Sequence, residues 1–263
     1  MTDFSDEQIH LGQPLYTRII GLPTMEDFGT AASETDDNNV IITLDLFKQA
    51  QFSFPPEEYL ATGRNLVAEH SEALAVALGN GLVDAVAALV TDDFAAESIG
   101  ASEAFDYTAL IVHNAALNSA GVPEQGRFGW VNSEVAQALR NDEVVMANFD
   151  RNATNAYAGW KNIEGFETIW EFPALPGNSV NLTGFFAQQS ALVVASRVAI
   201  NSGGLTQIGY PGNISTVTDP VSGLSVISNQ WVTQDTLVVN DRLILLFGCA
   251  KGNAVCGRKH VTA

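Results

Sequence analysis

After ten residues of mixed polarity, MTDFSDEQIH, the chain settles into alternation. Residues 15–22 (LYTRIIGL) and 40–47 (VIITLDLF) are dense in aliphatic and β-branched side chains and predict two strands. Between them, TMEDFGTAASETDDNN is acidic, turn-rich and too polar for a core. Unstructured connections beyond about 12–15 residues are uncommon in compact domains, so residues 11–54 are expected to run out and back as an extended hairpin. Pro55-Pro56-Glu57-Glu58 then opens a helix, with prolines first and acids at the positive end of the dipole. Leu60, Val67, Leu74, Leu78, Leu82, Ala85 and Leu89 recur at spacings of three, four or seven, the stripe of a long amphipathic helix. Gly79-Asn80-Gly81 is expected to weaken or kink it.

Residues 105–117 predict a second helix, closed by Gly121-Val122-Pro123. Beyond Pro123 the elements shorten. Gly129-Trp130-Val131 reads as a strand end, and Asn132 caps a helix over SEVAQALRND with Val135, Ala138 and Leu139 on one side. Residues 163–172 (IEGFETIWEF) alternate as one strand, residues 173–177 form a turn, and Thr183 is placed to cap a helix over GFFAQQSALVV. Strand character resumes at 203–210 and, near the C-terminus, at 222–228, 230–239 and 243–255. Strands, then helices, then mixed elements and terminal strands predict an α+β fold.

Composition narrows the function. The chain has 263 residues, 30 acidic against 12 basic, for a net charge of −18, and only 16% of its residues are charged. Hydrophobic content of 46% excludes a disordered chain. The acidity opposes general nucleic-acid binding, which needs Lys and Arg on phosphates, and opposes an anionic membrane surface. Low charge density predicts surface hidden against something, copies of itself included. The N-terminus lacks a signal peptide's basic and apolar regions, and Asn80, Asp84 and two glycines interrupt the most apolar stretch, 73–90, so a cytosolic product without a membrane span is expected.

Catalytic signatures are sparse: no GxGxxG after a strand, no GxxxxGK[ST], no HExxH and no GxSxG. His10, His70, His113 and His260 sit on unrelated segments, read either as plain helical and surface histidines or as a buried acid–base pair. Cys249, Cys256 and His260 lack the close cysteine pairing and fourth ligand of structural zinc. Gly252-Asn253 is expected to turn a hairpin that sets Cys249 opposite Cys256, leaving two free thiols or a cross-strand disulfide as alternatives. The acidic pairs Asp36-Asp37, Glu57-Glu58, Asp92-Asp93 and Asp142-Glu143 lie at helix ends or loops, as dipole partners or solvated charge. Trp130, Trp160, Trp170 and Trp231 are dispersed on strand-like segments, as packing residues are. No catalytic, cofactor-binding or metal residue is assigned.

Four passages in order carry a resemblance. RFGWVNSEVAQALRND at 127–142 resembles the strand, Asn, helix, Leu-Arg passage of tailed-bacteriophage major capsid proteins. GWKNIEGFETIWEFPALPG at 159–177, NLTGFFAQQSALVVASR at 181–197 and DPVSGLSVISNQWVTQDTLVVNDRLILLFGCAKG at 219–252 are similar to three later ones, the last resembling the closing strands of the P22-coat-like branch. The resemblance implies an HK97-like fold: an N-terminal arm at 1–10, the extended hairpin (E-loop) at 11–54, a peripheral domain with the spine helix at 55–102, an axial domain at 103–210, and return strands at 211–263. It implies a non-enzymatic shell subunit without cofactors, meeting copies of itself as hexamers and pentamers around double-stranded DNA that it encloses without binding tightly. A portal and a separate scaffolding protein are implied partners, since this chain opens at Met1 without the large scaffolding segment some members carry. Assembly would be in the bacterial host cytoplasm and the final location the virion. The acidic hairpin tip, Glu34, Asp36 and Asp37, is expected to meet basic groups of a neighbour such as Arg18 or Arg64. Lys48 is the hairpin's lysine, but no motif supplies an Asn or Glu partner, so no crosslinking residues carry over. The alternatives are an encapsulin-like compartment shell and, from another class, a soluble hydrolase with a carboxylate pair.

Overall fold

A computed structural model describes residues 14–19, 38–58, 66–97, 105–148, 160–173, 175–198, 212–219 and 223–262. It is α+β, as the order of patterns predicts, and it divides into two compact units. The first gathers Met1–Arg18, Asn39–Val83 and Val194–Ala250; the second gathers Ile19–Asn38, Asp84–Val193 and Lys251–Ala263.

In the first unit β1 (Pro14–Ile19) and β2 (Asn38–Thr43) form a two-stranded sheet, where the sequence predicts the base of an extended hairpin. β3 (Leu46–Phe54) leaves that pair for a larger sheet, running antiparallel to a long strand from Phe54↔Val239 to Leu46↔Phe247. Residues 56–58 form a helical turn after Pro55, and α1 (Leu66–Ala87) carries the predicted stripe with Leu74 and Leu78 buried. The helix runs unbroken through Gly79-Asn80-Gly81. Each glycine costs a helix about 1 kcal/mol, which the packing of Leu74 and Leu78 outweighs.

The second unit follows. β4 (Ala95–Glu97) precedes α2 (Tyr107–Ser119), β5 (Arg127–Val131), α3 (Ser133–Asn141), α4 (Glu143–Asn148), β6 (Trp160–Ile163), β7 (Phe166–Glu171) and β8 (Leu182–Gln188), and β9 (Leu192–Arg197) passes into the first unit at Val194. The chain then supplies β10 (Asn213–Thr218), β11 (Ser225–Val232) and β12 (Val239–Lys251) to the first unit's sheet, in the order β10-β11-β12-β3 with β9 also on β12. β13 (Gly257–Val261) returns to the second unit, whose six-stranded sheet is ordered β4-β13-β8-β5-β7-β6.

The predicted Asn132 cap holds, its side chain accepting from Val135 N at 2.9 Å, and Asp106, which is not among the predicted caps, accepts from Ala109 N at 3.0 Å. Four expectations do not hold. Residues 163–172 are not one strand but the second half of a hairpin, because Glu164-Gly165, both at positive φ, turn β6 back onto β7. Thr183 caps no helix. It lies buried in β8, and the apolar run that imitates a helix is a strand with Leu182–Ala187 all buried, sandwiched between β13 and β5. Residues 230–239 are no strand; β11 ends at Val232 and residues 234–236 turn, while β10 went unpredicted. Gly252-Asn253 makes no hairpin either, since β12 and β13 lie in different sheets. Gly252 instead passes so close to the Ser190 carbonyl that a Cβ would stand 2.0 Å from it, with Gly252 N donating to Ala191 O and Asn253 N to Ser190 O, both at 2.8 Å.

Candidate functional site

The second unit brings together two of the four histidines. His113 projects from α2 and His260 from β13, both closed to solvent, with Nε2 of the first 3.4 Å from Nδ1 of the second. Phe186 stacks on His113 at 4.4 Å, and Phe105 meets the His260 ring edge at 4.8 Å. The far nitrogens, His113 Nδ1 and His260 Nε2, have no well-formed hydrogen bond among the described residues. Burial pushes His113 down to about 3, helped by His260 and Arg258, and His260 down to about 4, with the Glu97 backbone opposing. Both rings are therefore neutral at pH 7. Closed to solvent, neutral and packed against Phe105 and Phe186, the pair is part of the core.

The acidic pairs are bound up in structure. Asp92 and Asp93 follow α1 and take one lysine each: Lys259 Nζ reaches Asp92 at 2.5 Å, and Lys251 pairs with Asp93, holding that carboxyl below its ordinary range. Asp142 accepts from Val144 N, Val145 N and Tyr107 N, and these backbone donors lower it against the burial that raises it. Glu57 and Glu58 are exposed on their helical turn. Asp36-Asp37, Glu34 and Arg64 lie outside the described residues, as do His10, residues 1–10 and 203–210, and the side chain of Arg18. Lys48 is exposed on β3. Cys249 and Cys256 are not joined in a disulfide, and burial with Asp45 raises the Cys249 thiol. Among the described residues no three His, Cys, Asp or Glu groups gather as a metal site, and no helix is long and apolar enough to cross a membrane.

Buried Arg127, which sequence reading passed over, ties β5 to the end of α2. Its guanidinium donates to Asn114, to Asn118 at 2.8 Å, and to the Val122 and Pro123 carbonyls. The tryptophans form no cage. Trp160 is buried with Arg140 5.5 Å over its ring, Trp231 carries Arg242 at 4.9 Å, Trp130 leans on Phe128, and Trp170 is exposed.

Open apolar surface among the described residues includes Val144, Trp170 and Val255 of the second unit and a groove in the first. A groove of about 500 Å³ runs between α1 and the larger sheet, walled by Leu78 and Leu82 on one side and Val226, Leu243 and Leu245 on the other. Tyr16, Ile41, Phe47, Val76, Val217, Val232 and Leu237 in the same unit are more than half exposed or close to it. Asp219 is the groove's one acidic lining residue. Such surfaces bind by burial and shape, without chemistry. A sequence signal for them existed: residues 172–234 contain only two charged residues, Arg197 and Asp219.

No protein-family profile matches the chain, and no curated protein matches it in sequence. Solved structures do share its fold. A capsid chain of the cyanophage P-SCSP1u superposes with a TM-score of 0.62 at 13% identity, over 97% of this chain and 85% of that one. A chain from Mycobacterium phage Che8 gives 0.59 at 20% identity, over 95% and 84%. The capsid chain of an empty GTA particle gives 0.53 at 13% identity, over 98% and 88%.

Proposed function

We propose that this chain is the major subunit of a tailed-phage capsid, a structural protein that assembles with copies of itself into an icosahedral shell around double-stranded DNA. The observation that carries this reading is the length of the shared fold: nearly the whole chain lies on nearly the whole of capsid chains. The passages within 127–252 support it independently, since their resemblance to the same family lies in the sequence alone.

The physical features fit. A shell subunit must present apolar surface to identical neighbours, and symmetry lets one surface serve many contacts. The groove beside α1 and the exposed apolar residues of the first unit supply that surface. The −18 charge suits a wall that encloses DNA without gripping it, because repulsion acts within roughly 8–10 Å at cell-like salt. In this reading residues 1–10 are the arm, 11–54 the hairpin that reaches over a neighbour, 55–102 the peripheral domain, 103–210 the axial domain and 211–263 the returning strands, with scaffolding protein and portal as separate chains. Low-charge faces belong to lateral contacts, and the acidic hairpin tip at Glu34, Asp36 and Asp37 orients the overlap.

Negative-stain microscopy and sedimentation of the expressed protein, with and without a scaffolding partner, test the reading. Closed particles of megadalton mass are expected; a small oligomer under every condition overturns it. Particles that copurify with an enzyme cargo rather than with DNA and a portal would move the chain to the compartment-shell alternative.

A further inference from the structure

A free sheet edge offers unpaired N–H and C=O groups to any passing strand, and proteins guard such edges with charge, proline or cover. The outer strands of the two larger sheets differ in that protection. β3 carries Lys48, β9 carries Arg197, β4 carries Glu97 and β6 carries Lys161. β10 reads NISTVT, with neither charge nor proline. One of its sides pairs with β11 from Asn213↔Gln230 to Thr218↔Ser225, and its other side holds no strand among the described residues. All of its residues but Ile214 are exposed, Val217 at 59%. Four of the six are β-branched, so the strand is formed and stiff before anything joins it.

The occupant follows from charge and symmetry. Two copies of a chain at −18 repel each other, and close approach is cheapest where neither bears charge. β10 lies inside the 172–234 stretch with its two charged residues, which makes it the edge that a like-charged copy can reach. An antiparallel strand pair across a two-fold axis normal to the sheet is self-complementary, and every register there sets Asn, Ile, Ser, Thr or Val of one copy against the same set in the other. Thr–Thr and β-branched neighbours are favourable cross-strand pairs. We infer that the outer edge of β10 is a homotypic pairing edge, on which β10 of a second copy adds antiparallel to carry one sheet across two subunits. This deepens the shell reading and rests on it. Six residues per side fall short of the roughly 1,200–2,000 Å² that stable pairs bury, so the pairing acts within a many-contact assembly and not in free dimers.

The test uses assembled particles of the full chain. Thr216→Cys particles are treated with a short bismaleimide whose reach covers opposite and diagonal cross-strand neighbours, about 5–8 Å, beside wild-type particles as the control for Cys249 and Cys256. The expected product is a covalent dimer whose linked peptides map 216 to 216. Val217→Lys, at an exposed position, should keep the wild-type melting temperature while particle yield falls at least tenfold. Linkage of residue 216 to any other segment or to another protein overturns the inference, as does its failure to link, or normal particle yield from folded Val217→Lys. Wild-type protein that never assembles overturns the shell reading itself and this inference with it.

Discussion

The two units spend their apolar residues differently. Around the six-stranded sheet one continuous core runs from Val90 and Phe94 through Leu110, Val135 and Phe166 to Phe186 and Cys256, with the rings of Phe105, Phe166 and His113 meeting around Phe186 and His260 against Phe105. β8 in its middle is buried from Leu182 to Ala187. The five-stranded sheet of the other unit keeps a groove beside α1 and a strand, β10, with scarcely a buried residue. A unit closed on its own core is stable alone; a unit with open apolar surface is completed by contact with other chains. On the shell reading the first kind of unit supplies rigidity and the second supplies interface.

The sharpest way to break that contrast is to cut the closed core at its centre. Phe186→Ala removes the ring that His113, Phe105 and Phe166 pack against. Truncating a buried phenylalanine costs about 3–5 kcal/mol, so this variant should lose roughly a third to a half of a typical domain's stability in a urea titration. A loss below about 1 kcal/mol would mean that the unit is not organised around this ring.

Acid should reach the same core from another direction. His113 and His260 titrate near 6.5 when unfolded but only at about 3 and about 4 when folded, so the unfolded chain binds more protons below pH 6.5. Their stabilising neutrality is complete above 6.5 and is lost progressively as pH falls toward 4 and then 3. Each ring costs about 1.4 kcal/mol per pH unit in that window, or about 3 kcal/mol for both at pH 5.5. Melting curves at pH 7.5 and 5.5 should separate accordingly, and His113→Phe should halve the difference. Equal slopes in wild type and variant would remove the pair from the acid response.

Much of this core was legible in the sequence because its signals are local. Asn132 announces its helix by capping chemistry, and the stripe through Leu74 and Leu78 survives two glycines because packing outweighs propensity. Local signals misled where a third dimension decided. The run at 182–197 has the composition of a buried helix, and only neighbours on both sides make it β8 and β9. Glu164 at positive φ is not a residue that advertises a turn. The meeting of His113 with His260 spans 147 residues, and no spacing rule reports it. The one trace of open surface in the sequence is the near-absence of charge from 172 to 234, which neither periodicity nor any motif marks.

The smallest effect expected falls on the open side of the contrast. Leu82 is half-buried on the wall of the groove, facing Val226, Leu243 and Leu245 across a space that already holds no side chain. Leu82→Ala therefore creates no new closed cavity, and it forfeits only the part of the side chain that the groove shields, about 1 kcal/mol at 25 cal/mol per Å². In an unassembled subunit the urea midpoint should shift far less than for Phe186→Ala. In assembly the order should reverse, because the same side chain is counted again when a neighbour covers the groove: Leu82→Ala should raise the concentration needed for particles more than its effect on the free subunit accounts for. A variant that destabilises the free subunit as strongly as Phe186→Ala would show that the groove is part of a closed core. One that leaves the assembly threshold unchanged would show that no neighbour sits there.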